Sequence, residues 1–193
     1  ISVDFGLPDN HKIDSTALEG DPWNGASPKP LSDLINACDI YYETNDEMPD
    51  EILLRKAQAK QITGSAEVAS EFSDNATRIS LGEVNDYLAE LGYPPVKIHD
   101  VKVNTEGPNG RPTNSEYLIP DNRVVLVKRA AGQEIKDTGR LVMGPVSENN
   151  FKPGIFTTMY EEFDPMRYWH FMKVEMWPAV YNPEYILFMD VQA

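Results

Sequence analysis

The sequence predicts an α+β fold, and three observations predict it. Residues 30–46 repeat apolar side chains on the period of a helix. From residue 96 the repeat shortens to two, the period of a half-buried strand. The final stretch, from residue 151, holds three runs of strand-forming residues parted by turn residues, with no helical pattern among them. Helices gathered early and strands gathered late argue α+β rather than alternating βαβ units.

Residues 1–29 are punctuated by Pro8, Pro22, Pro28, Gly6, Gly20 and Gly25, so they read as loop, with Val3 and Phe5 in a short strand. Pro30 fits the first position of a helix, where its missing N–H costs nothing. Leu31, Leu34, Ile35, Cys38, Tyr41 and Tyr42 then fall on one stripe, with Asp33, Asn36, Asp39 and Glu43 on the wet face. An acidic loop follows (Asp46, Glu47, Asp50, Glu51), then Ile52, Leu53 and Leu54 as a buried strand. Residues 55–62 and 65–72 read as two short helices parted by Gly64. Ser80 and Glu83 form a capping box, and Leu81, Val84, Leu88 and Leu91 supply the stripe behind it. Gly92, Pro94 and Pro95 end that helix.

Val96 and Ile98 face one way and Val101 and Val103 the other, so the slip at His99 and Asp100 reads as a bulge. Residues 104–115, rich in Gly, Pro, Asn and Thr, read as a long exposed hairpin loop. Residues 117–119 and 124–127 read as strands about a turn at Pro120, Asp121 and Asn122, and 141–143 as another strand. At the end, 155–163 and 168–177 read as a long hairpin turning at Asp164 and Pro165, with 185–191 as the strand that returns after Asn182 and Pro183. Tyr168, His170, Met172, Val174 and Met176 share one face of the hairpin and read as core. Trp169, Phe171, Lys173, Glu175 and Trp177 share the other, which reads as a surface partly covered by a neighbour.

At 193 residues the chain can hold one compact domain, or two small ones, around a sizeable core. Its 17 Lys+Arg against 31 Asp+Glu leave a net charge of −14. That excludes a conventional nucleic-acid reader, which needs positive charge to displace phosphate counterions. It also disfavours docking to an anionic membrane. No run of about 18 apolar residues is present, so no spanning helix is expected. The start has neither the basic region nor the apolar run of a signal peptide. It lacks an initiator methionine as well, so the chain is expected to be a processed or truncated piece. The single cysteine, Cys38, forbids an internal disulfide and a multi-cysteine metal site, and reads as a small buried apolar residue.

Nothing in the sequence assembles a catalytic set. His11, His99 and His170 sit in unlike contexts, and no H-E-x-x-H, G-x-S-x-G or glycine-rich phosphate loop is present. The acidic run from Glu43 to Glu51 lacks the spacing of a calcium loop and reads as solvated. Glu161, Glu162 and Asp164 cluster before a turn, without a spacing that establishes glycosidase work. Asn75 heads a formal glycosylation triplet, which decides nothing without a secretory signal. No catalytic residue, metal ligand or cofactor is expected, and the protein reads as a non-enzyme. Two other classes stay open: a metal-dependent hydrolase whose carboxylates converge with a histidine, and a carbohydrate-binding module built on the aromatic hairpin.

One set of segments carries a resemblance. Gly154-Ile-Phe-Thr-Thr-Met-Tyr-Glu-Glu-Phe-Asp-Pro165, then Arg167-Tyr-Trp169, then Trp177-Pro-Ala-Val-Tyr-Asn-Pro-Glu-Tyr-Ile-Leu-Phe-Met-Asp-Val191 resembles the C-terminus of tailed-bacteriophage major capsid proteins. Asp4-Phe-Gly6 and Pro30-Leu-Ser-Asp-Leu34 resemble the segment leading into that family's spine helix, and Pro49-Asp-Glu-Ile-Leu-Leu54 the strand after it. Residues 81–103 and 119–126 resemble its axial domain. The order of these signals, over most of the chain, looks closest to the branch called major capsid protein E.

The resemblance implies a peripheral domain, 1–48 with 151–193, holding the spine helix at about 30–46 and the C-terminal hairpin with its return strand. It implies an axial domain, 49–150, pointing at a symmetry axis. The family's N-terminal arm and extended loop have no room before residue 30 and are expected to be missing. The implied function is a viral structural one: a major capsid subunit that self-assembles into an icosahedral head shell around phage double-stranded DNA. Its partners would be copies of itself in hexamers and pentamers, with no sequence-specific nucleic acid and no membrane. Its place would be the virion, assembled in the host cytoplasm. This chain alone is expected to be a monomer or weak oligomer. An encapsulin-like compartment shell is the related alternative. Candidate subunit-contact residues are Asn104, Asn109 and Arg111 on the 104–115 segment, with Trp169 and Trp177 on the hairpin. Some relatives cross-link through Lys–Asn isopeptide bonds. The 167–177 strand holds Glu175 but no Asn, so no such link is expected there. A net negative charge fits a wall that must not adhere to its DNA.

Overall fold

The computed structural model describes residues 6–72, 79–106, 112–129, 139–146, 150, 152–163 and 166–192. It is a mixed α+β structure whose contacts divide the chain into two units: Ile1–Thr138 with Asn182–Ala193, and Gly139–Tyr181. The expected strand at Val3 and Phe5 lies outside the described residues.

The first unit opens with a 3-10 turn at Asp9–His11 and the two-residue strand β1 (Lys12–Ile13). Helix α1 (Pro30–Asn45) begins on Pro30, as expected, and ends at Asp46, which turns left-handed at φ 54. Its inner face is Leu31, Leu34, Ala37, Cys38 and Tyr41, while Tyr42 stands exposed. Asp33 corrects the sequence reading. It is buried rather than wet, because the Trp23 indole N–H (2.8 Å) and the Glu19 N–H (2.7 Å) both donate to its carboxylate.

Strand β2 (Glu51–Leu54) leads into helices α2 (Lys56–Thr63), α3 (Ala66–Glu71) and α4 (Leu81–Glu90), then strand β3 (Val96–Ile98). The three helices form the crossover that a parallel β2–β3 pair requires. The capping box at Ser80 and Glu83 is present, and Gly92 takes the left-handed φ of 84 that ends α4.

Strands β4 (Lys102–Glu106) and β5 (Pro112–Tyr117) pair as a hairpin of their own. Two expectations change here. His99 and Asp100 are no bulge; they part β3, which joins the large sheet, from β4, which does not. The described residues of the expected loop at 104–115 lie in strands, and the register shift lies at Thr105 and Glu106. Strand β6 (Arg123–Val127) follows the turn after Pro120 and pairs not with 117–119 but with β2.

Strands β7 (Gly139–Met143), β8 (Pro145–Val146), β9 (Lys152–Pro153), β10 (Ile155–Phe163), β11 (Met166–Val174) and β12 (Met176–Val180) make up the second unit. They form three two-stranded sheets, β10–β11, β12–β7 and β8–β9. The expected single strand 168–177 is two, broken at Glu175, whose carbonyl accepts the Gly144 N–H at 2.7 Å.

The chain then returns through a 3-10 turn at Pro183–Tyr185 to strand β13 (Ile186–Asp190). The main sheet runs β1–β13–β6–β2–β3. Val124 and Leu126 of β6 and Leu187 and Met189 of β13 alternate inward, packing with α1, Ile52, Leu54, Ile62, Val68, Val84 and Leu88 into one core. That period-two alternation is what a sheet with one covered face needs.

Candidate functional site

The most unusual surface of the described chain is the ribbon β10–β11. Its two strands pair over nine residues each, from Ile155 opposite Val174 to Phe163 opposite Met166. Side chains alternate across the pleat, so directly opposed residues share a face. One face carries Ile155, Val174, Thr157, Met172, Met159, His170, Glu161, Tyr168 and Met166. The other carries Phe156, Lys173, Thr158, Phe171, Tyr160, Trp169, Glu162 and Arg167.

Both faces carry exposed side chains. Met172 is 68% exposed, Met166 67%, Tyr160 60% and Trp169 56%. The face of Tyr168, His170 and Met172, expected to be core, is therefore open; the alternation of residues 168–174 between faces holds, while Met176 and Trp177 lie on β12, outside the ribbon. The reason is local: the ribbon has only two strands, and among the described residues no third strand joins it. Trp169 donates its indole N–H to Glu162 at 3.1 Å, and Glu162 stands opposite Arg167. A two-stranded ribbon with apolar residues on both faces is marginal in water by itself. Among the described residues no third strand joins either outer edge, and an edge strand can pair with an incoming chain. Chemically the ribbon offers apolar and aromatic contact, and backbone hydrogen bonds, to another protein surface.

The other candidate residues are scattered. Asn104 lies on β4 opposite Ser115, in the first unit. Asn109 and Arg111 lie outside the described residues. Trp177 is not on the ribbon; it sits on β12 opposite Val142 of β7. Of the five, Trp169 alone lies on the ribbon. The sequence reading missed Met159, Tyr160, Met166 and Met172 as surface residues. The one available signal was apolar residues on both parities of the hairpin, which does not by itself tell an open face from a covered one.

The acidic run proves not to be simply solvated. Lys128 pairs with Glu47 (2.9 Å) and Asp50 (3.8 Å), Arg129 pairs with Glu51 (3.1 Å), and Lys97 also reaches the buried Glu51. Among the described residues no three His, Cys, Asp or Glu side chains gather to hold a metal, and no helix is long and apolar enough to cross a membrane. Cys38 is buried in the core, and burial pushes its thiol up to about 12, far from thiolate chemistry.

No protein-family profile matches the chain, and no curated protein sequence does. Solved structures do. A phage-related protein from Bordetella bronchiseptica RB50 aligns over 95% of this chain and 57% of its own, with a TM-score of 0.61 at 11% identity. A proposed prophage capsid protein from Escherichia coli CFT073 aligns over 97% of this chain and 55% of its own, with a TM-score of 0.62 at 11% identity. The chain thus spans a little over half the length of each, and what it shares with them, over nearly all of its residues, is the fold.

Proposed function

We propose that this chain is the folded body of a tailed-phage major capsid subunit of the E-like branch. Copies assemble as hexamers and pentamers into an icosahedral head around double-stranded DNA. Its role is structural rather than catalytic, its place is the virion, and assembly occurs in the host cytoplasm. In this reading 1–48 with 151–193 form the peripheral part and 49–150 the axial part. The observation that carries the reading is the fold shared, over 95% and 97% of the chain, with two proteins from phage and prophage sources. The ribbon fits it, because a subunit that is complete only in a lattice leaves apolar strands open until neighbours arrive. The −14 charge fits it too, since a like-charged wall repels packed DNA at long range.

The test is expression of the complete reading frame that holds this chain, read by sedimentation and electron microscopy. Closed particles of uniform diameter support the reading; a gene product that stays monomeric at every concentration overturns it. Met159→Glu with Met172→Glu places charge on two exposed positions. It is expected to leave folding intact, with a change within about 0.5 kcal/mol, while abolishing particles.

A further inference from the structure

The hairpin β4–β5 is the second part of the molecule that stands outside the main sheet. Its described side chains are exposed at Val101, Lys102, Val103, Ser115, Glu116 and Leu118; Tyr117 alone is half-buried. What partly covers Tyr117 is Arg55, a buried side chain at the joint between β2 and α2. The guanidinium carbon lies 3.3 Å from the centre of the Tyr117 ring, and Lys102 Nζ lies 4.6 Å from the same ring. Arg55 Nη1 donates to the Asp121 carboxylate, and Nε lies 3.5 Å from Asp100 Oδ1. Asp100 also accepts the Lys56 N–H at 3.3 Å.

The positions of those two carboxylates matter. Asp100 stands just before β4 and Asp121 just after β5, so one guanidinium bridges the entry stem, the exit stem and the ring between them. We propose that Arg55 is a positioning residue that clips the β4–β5 hairpin in one orientation. It holds the Tyr117 ring inward, while Val101, Val103 and Leu118 stand exposed. A planar guanidinium suits this role where a lysine does not, since it stacks on a ring and directs several N–H groups in its own plane at once. The inference concerns this chain's own hairpin and does not depend on what the whole protein assembles.

Hydrogen exchange on the intact chain tests it, with Arg55→Lys, Tyr117→Leu and Tyr117→Phe. Arg55→Lys keeps the charge and loses the fork and the stack. Tyr117→Leu removes the ring and leaves both carboxylate pairs in place. In both, amides of β4 and β5 are expected to exchange at least about tenfold faster, while those of β6 and α4 keep their rates. Tyr117→Phe keeps the ring face and is expected to behave as the wild type. Unchanged exchange in the hairpin of folded Arg55→Lys and Tyr117→Leu chains overturns the proposal. So does an equal rise in β6 and α4, which would mark Arg55 as ordinary structural support. If Arg55→Lys does not fold, the Tyr117 pair decides alone.

Discussion

Single side chains that break the expected pattern carry the clearest chemistry of the first unit. His11 is fully buried, stacked on Tyr41 with ring centres 5.6 Å apart, and its Nδ1 lies 3.0 Å from the Ile186 carbonyl. A carbonyl can only accept, so Nδ1 carries the proton and Nε2 is bare, with no partner among the described residues. Burial pushes the imidazole pKa below its ordinary 6.5, against the opposing pull of the Ile186 carbonyl and the Glu184 charge. The unfolded chain therefore takes up a proton near pH 6.5 that the folded chain refuses, and stability falls as pH drops below that value. Urea unfolding at stepped pH should show that decline, and His11→Asn, which keeps a donor for Ile186 and cannot titrate, should flatten it. Asp33 shows the opposite sign. Burial raises its pKa despite the bonds from Glu19 and Trp23, so its ionised form opposes folding more as pH rises. Its two oxygens still serve two donors, 2.7 and 2.8 Å away. Asp33→Asn turns one of them into an NH₂ group facing an N–H and is expected to destabilise by about 1–3 kcal/mol in denaturant unfolding. Neither residue was legible in the sequence. Asp33 sits on the polar arc of α1, and its burial is set by Trp23, which lies in a loop with no period to read.

Elements whose own residues decide them were legible; elements decided by distant partners were not. Helix α1 shows both sides. Its apolar stripe and Pro30 fix its existence and start, but Lys29 supplies no side-chain cap. The cap comes from α3, where the Glu67 carboxylate accepts the Leu31 N–H at 2.7 Å and the Ser32 N–H at 3.0 Å, as well as the Ser32 hydroxyl. A carboxylate there satisfies orphan donors and faces the positive end of the helix dipole. Glu67→Gln keeps the shape but loses the charge and one acceptor oxygen, and is expected to lower stability by about 1 kcal/mol, read as a shift in the urea midpoint at constant slope. The capping box of α4 lay within four consecutive residues and was readable. The split between β3 and β4 was not, because it depends on which strand finds a place beside β2. The break between β11 and β12 likewise depends on Gly144 bonding to Glu175.

Taken whole, the molecule pairs a well-packed α+β unit with a unit of thin two-stranded sheets, and that contrast has kinetic consequences. The α+β class was legible because periodicity reports which faces are buried. The openness of the ribbon was not, because the same alternation marks a strand waiting for a partner and one already covered. Strands β2, β6 and β13 lie inside a sheet whose inner face meets a helix layer, so exposing their backbone requires opening the core. The ribbon is two-stranded with largely exposed side chains, and its local opening should need far less free energy than global unfolding. Limited proteolysis reads the difference. Arg167 stands exposed on β11, whereas Arg123 and Lys128, within and just after β6, are half-buried. Trypsin is expected to cut after Arg167 at least about tenfold sooner than after Arg123 or Lys128. Cleavage at Arg123 first, or at both together, would show that the ribbon opens only with the core. In particles the capsid reading expects the Arg167 cut to vanish, since a neighbour's surface on the ribbon removes the opening that trypsin needs.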